Sequence, residues 1–103
     1  MNSIIEQNRN SIIELCKKHY VKELSVFGSV ATDKFNDESD VDFLYLFDLS
    51  KLDLLDYADN FFSFQDSLEK VTGRQIDLIS QKDISNPVFK KVIERTKILL
   101  YAA

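Results

Sequence analysis

Tryptophan is absent from this 103-residue chain, which carries one proline, one cysteine, one histidine and two glycines. A lone Cys16 rules out an internal disulfide, and this favours a reducing compartment, the cytoplasm. Its apolar neighbourhood makes it a small core residue rather than a reactive one. With His19 as the only histidine, no His/Cys zinc cluster can assemble within the chain. The scarcity of glycine and proline, with no repeat or low-complexity tract, leaves no linker, so residues 1–103 read as one domain. No apolar run approaches the ~20 residues of a membrane span. The opening Met-Asn-Ser-Ile-Ile-Glu-Gln lacks the pattern of a signal peptide, so none is expected. Positive charge is also short: 13 Lys and Arg against 17 Asp and Glu give a formal net charge of -4. That balance argues against a direct nucleic-acid partner. It suits a site that holds a divalent cation.

What is present is apolar and aromatic. Hydrophobic residues make up 45% of the chain, and eight Phe and four Tyr promise a packed core. Residues 3–19 have helical spacing, with Ser3 as N-cap and Glu6 three positions on. His19 falls at the C-terminal end of that helix, where positive charge is welcome. Val21–Phe27 reads as a strand ending at Gly28, and residues 29–34 as a short helix leading into a polar loop over 32–39. Val41–Phe47 is apolar on both faces except at Asp42, the pattern of a strand covered on both sides. A long helix is expected over Leu52–Thr72, burying Leu54, Leu55, Ala58, Phe61, Phe62, Leu68 and Val71, with Gly73 as its stop. Phe61-Phe62-x-Phe64 covers more than one helix face, so one ring is a candidate for exposure. Gln75–Ser80 reads as a third strand. Asn86-Pro87 opens a last helix that runs to about Leu99. Strands alternating with helices imply an α/β (α+β) fold, with helices on a small central sheet of three to four strands, mixed in direction.

Ten residues separate Gly28-Ser29 from Asp40-x-Asp42. Glycine permits a tight turn and lets backbone N–H groups approach a ligand, so Gly28 and Ser29 form a candidate phosphate-binding turn. Residues two apart in a strand share a face, and Asp40 and Asp42 therefore project together. Two carboxylates ~4 Å apart repel by about 4 kcal/mol at an effective dielectric near 20, a cost that a cation between them removes. Ligation by carboxylate oxygens with open positions suits Mg²⁺ that also holds substrate phosphates. Asp77, in Gln75-Ile-Asp-Leu-Ile79, faces away from Ile76 and Leu78. If its strand neighbours that of Asp42, three acids converge on one or two metal ions, and Asp77 is poised to take a proton from an attacking hydroxyl. The acid-rich segment 33–42 lacks the central Gly and terminal Glu of an EF-hand loop. Lys17-Lys18, Lys90-Lys91, Arg95 and Lys97 read as solvated helix faces, with phosphate steering or partner docking as the alternative.

At Phe27-Gly28-Ser29, Ser39-Asp40-Val41-Asp42 and Ile76-Asp77-Leu78 the chain resembles the minimal nucleotidyltransferase family of the polymerase-beta-like superfamily. Its ending, Val88–Tyr101, also looks like that family's closing helix. The resemblance implies a nucleotidyltransferase fold that binds Mg²⁺ and a nucleoside triphosphate, commonly ATP. It implies nucleotide binding at Gly28 and Ser29, and metal and catalytic roles at Asp40, Asp42 and Asp77. Family members often act as antitoxins paired in a hetero-oligomer with a HEPN-domain toxin, onto a tyrosine of which some transfer AMP. The chain departs from the family pattern after Gly-Ser. Val30-Ala31-Thr32-Asp33 lacks the usual basic residues and glycine, so a strong charge-assisted phosphate contact is missing and Asp33 repels phosphate. The alternative expectation is a catalytically weak or inactive binding module of the same fold that neutralises a partner by masking it.

Overall fold

Two helices lie against one face of a four-stranded sheet and a third lies against the other, in a computed structural model that describes residues 3–28 and 40–103. The order along the chain is α1 (Ser3–Lys18), β1 (Val21–Phe27), β2 (Val41–Phe47), α2 (Tyr57–Thr72), β3 (Ile76–Ser80), α3 (Pro87–Thr96) and β4 (Ile98–Ala102). In the sheet the order is β3-β2-β1-β4. β1 is antiparallel to both β2 and β4, whereas β2 and β3 run parallel. The mixed α/β fold is the one expected.

The α1/α2 face holds most of the core. Ile5, Ile12 and Cys16 from α1 and Phe64 and Leu68 from α2 meet Leu24, Val26, Val41, Phe43 and Ile76 from the sheet. Tyr45, Phe47, Tyr57 and Phe64 extend it as an aromatic cluster, with ring centroids 4.6 Å apart for Tyr45–Phe47 and 6.1 Å for Phe47–Phe64. The Tyr45 and Tyr57 hydroxyls hydrogen-bond at 2.8 Å. Burial, then that bond, pushes the Tyr45 phenol above its ordinary range. His19, just past α1, is buried and ties the two helices together. Its Nδ1–H donates to the Leu15 carbonyl at 2.7 Å, so Nε2 is left to accept from Ser63 Oγ at 3.1 Å. Asn60 Nδ2 donates to the His19 carbonyl at 2.7 Å.

The opposite face is thinly covered. Phe27, Leu44 and Ile93 are its buried cluster, with Ile79 and Ile84 packed against them. Ile93 is the only buried residue of α3.

Three expectations need correction. The last helix ends at Thr96, not Leu99, because Lys97 turns extended (ψ 148°) and Ile98–Ala102 pairs with the free edge of β1. Between Leu52 and Tyr57 the chain makes a single 3₁₀ turn capped by Asp53, and α2 starts only at Tyr57. Leu54 and Leu55, in that turn, are exposed rather than buried, Leu55 at 91%. Within α2 the helical spacing sets Ala58 and Phe62 on the face turned away from Phe64 and Leu68, so they are exposed too. Other local signals hold: Gly73 ends α2 at φ 68°, and the Asn86 side chain accepts from the Val88 and Phe89 amides at the start of α3. The Ser3 cap, the short helix over 29–34 and the loop over 32–39 lie outside the described residues and side chains.

Candidate functional site

The acids come together because of strand register. Parallel pairing sets Val41 opposite Ile76 and Asp42 opposite Asp77, so both carboxylates rise from adjacent strands on the thinly covered face. Antiparallel pairing puts Phe27 beside Asp42, and Gly28 follows at once. Gly28 has φ 75°, and a Cβ there would run into the Asp42 carboxylate. Only glycine serves both needs at this position. Phe27, Leu44 and Ile79 form the apolar floor around the acids.

Asp42 is half-buried, and its pKa is raised to about 6. Burial is the main cause, followed by the charge of Asp77, a hydrogen bond in which protonated Asp42 donates to Asp77, and the charge of Asp40. Asp77 and Asp40 are exposed, Asp40 immediately before β2. Such a pair in one small space calls for a proton or a cation between its members. Asp42 and Asp77 are the two acids in contact, while Asp40 acts on Asp42 through space. Among the described residues, no three His, Cys, Asp or Glu side chains are assembled closely enough to hold a metal ion. Ser29 and Val30–Asp33 lie outside the described residues.

This chemistry has close parallels. The family model described as "Polymerase beta, Nucleotidyltransferase" matches residues 10–103. The chain belongs to this nucleotidyltransferase family. A Methanocaldococcus jannaschii protein named "Putative protein adenylyltransferase" is 36% identical over 88 residues, 79% of this chain and 78% of that protein. A solved structure described as a "putative minimal nucleotidyltransferase" superposes with a TM-score of 0.73 at 28% identity, covering 95% of each chain. Two more distant structures share the fold. A toxin–antitoxin with AMP-PNP gives a TM-score of 0.69 at 19% identity over 93% of this chain and 74% of the other. A tri-AMPylated Shewanella oneidensis HEPN toxin in complex with MNT antitoxin gives 0.63 at 18% over 95% and 72%. In this nucleotidyltransferase, two polar residues escaped the sequence reading. Gln65 and Glu69, one turn apart on α2, both bond to the backbone of Ile76, next to Asp77. Their only trace in the sequence is two polar positions beside an apolar stripe.

Proposed function

We propose that this protein transfers AMP from ATP to a hydroxyl of a partner protein, a tyrosine of a HEPN-domain toxin, and so acts as an antitoxin. The observation that carries the reading is the Asp42–Asp77 pair, in register across β2 and β3 and closed on one side by Gly28. A half-buried carboxylate in contact with a second one, with a third nearby, is a donor set that fits Mg²⁺. The Asp42–Asp77 pair would hold the ion, with Asp40 joining as a third ligand on binding, and the bound ion would neutralise phosphate charge and polarise the phosphoryl group. Gly28 and Ser29 would take the phosphates through backbone N–H groups and the serine hydroxyl. The tyrosine oxygen attacks the α-phosphorus, the bond to the β-phosphate oxygen breaks, and pyrophosphate leaves while Asp77 accepts the phenolic proton. The name of the archaeal relative and the AMPylated toxin seen with an antitoxin of this fold support the choice of AMP and of a protein acceptor. No helix of the described residues is long and apolar enough to cross a membrane, and the reading puts the reaction in the cytoplasm.

The test mixes protein, Mg²⁺, α-labelled ATP and the candidate partner. The expected result is label on the partner with wild type and none with Asp42→Ala. No transfer by wild type, or equal transfer by the variant, overturns the reading. A second reading, masking without catalysis, is favoured by the lack of basic residues in Val30-Ala31-Thr32-Asp33. It requires Asp40→Ala with Asp42→Ala to leave neutralisation intact. Loss of neutralisation while the complex still forms counts against it.

A further inference from the structure

Among the described residues β3 lies at the edge of the sheet, with β2 as its one strand neighbour. Peptide groups on the free side of an edge strand need other partners. At one residue α2 supplies both. Gln65 Nε2 donates to the Ile76 carbonyl at 3.0 Å, and the Ile76 amide donates to Glu69 Oε2 at 3.2 Å. Gln65 and Glu69 stand four residues apart and so on one face of the helix. Both bonds are partly shielded from water. On the strand side, the Val41 amide donates to the Gln75 carbonyl at 3.0 Å. Ile76 itself is buried in the α1/α2 core. The next residue is Asp77, opposite Asp42.

We propose that Gln65 and Glu69 form a side-chain clamp that fixes the height of β3 against β2, making them positioning residues for Asp77. The inference rests on the reading of Asp42 and Asp77 as the metal-binding pair. Apolar packing of Ile76 holds the strand down on α2 but does not fix where it sits along its own axis. Two hydrogen bonds to the N–H and C=O of one residue, in adjacent peptide units, do. A slip of one residue would turn Asp77 to the opposite face and present an apolar side chain to Asp42. Fraying of the first two residues of β3, the ordinary weakness of an edge-strand end, would carry Asp77 away from its partner.

The test compares wild type with Gln65→Leu, Glu69→Leu and Glu69→Gln, the last keeping an acceptor for the Ile76 amide. All are measured where each variant is fully folded, as judged from its own Tm. Amide exchange at Asp77, read by NMR in metal-free protein, should speed up by about tenfold in the two leucine variants and stay near wild type in Glu69→Gln. Affinity for Mn²⁺ alone, by calorimetry, should fall by about tenfold in the leucine variants and return in Glu69→Gln. A role confined to stability lowers Tm but leaves the Mn²⁺ affinity of the folded protein unchanged, and that result overturns the clamp. So does unchanged Asp77 exchange. Should wild type bind no Mn²⁺, the site reading fails by itself, and the exchange data alone decide the clamp.

Discussion

The two faces of the sheet do different work. On the first, Ile12 of α1 and Phe64 and Leu68 of α2 meet Leu24 and Phe43 of the sheet, all fully buried, with an aromatic cluster at one end. On the second, Ile93 of α3 meets only Phe27 and Leu44 as buried partners, and the carboxylates of Asp42 and Asp77 share that side. Stability scales with the apolar area removed from water, so most of it comes from the first face. A carboxylate needs access to solvent, a cation or substrate, and a thick hydrophobic cover would deny all three. The second face keeps enough cover to desolvate Asp42 and enough opening to admit a ligand.

Breaking each face in turn should separate these roles. The largest effect is expected from Asp42→Asn, which should lower AMP transfer by about a thousandfold, near 4 kcal/mol of transition-state stabilisation. Labelled transfer with and without the substitution measures it. On the first face Phe64→Ala should cost about 3–5 kcal/mol of folding stability, read by urea unfolding, because a fully buried ring leaves a cavity. On the thin face Ile93→Ala should cost less, about 2 kcal/mol, since the loosely covered site can relax around the loss.

A smaller effect is pH-dependent. The folded pKa of Asp42, about 6, lies above the value of 3.8 for a free aspartate. Between those values the native state holds more protons than the unfolded one. Stability without metal therefore falls as pH rises through that window. Asp42→Asn should remove this slope and stabilise the metal-free protein at pH 7 by about 1 kcal/mol, after allowance for solvent screening at a half-buried group. Unfolding curves at pH 4.5 and pH 7 decide it, and a variant no more stable than wild type at pH 7 contradicts the account. Last, burial raises the Cys16 thiol to about 12, so it should resist alkylation at pH 8 until the protein unfolds.

Much of the site was legible as residue types and spacing. Asp42 stood out as the single acid in an apolar strand, and Asp77 as the acid alternating with Ile76 and Leu78. Their meeting was conditional on strand neighbourhood, which no local signal carries. β4 has no local signature of its own, because Ile98, Leu99 and Leu100 continue the apolar spacing of α3, while pairing with the distant edge of β1 makes them a strand. Leu54 and Leu55 carry an apolar signal that local periodicity cannot tell from a helix face. They lie in a 3₁₀ turn that precedes α2 and buries no residue, so the apolar stripe of the helix begins only after them.

By itself, the order of residues set most of the helices and strands (though not β4), where Gly73 and Asn86 punctuate them, and which acids could do chemistry. Local sterics, capping and periodicity decide those features within a few residues of chain. Only the folded whole decided that β3 lies parallel to β2 in the register that brings Asp77 to Asp42, and that β4 closes the other edge. Those pairings join residues tens of positions apart, and what selects them is the sum of core burial and hydrogen bonds across the entire sheet.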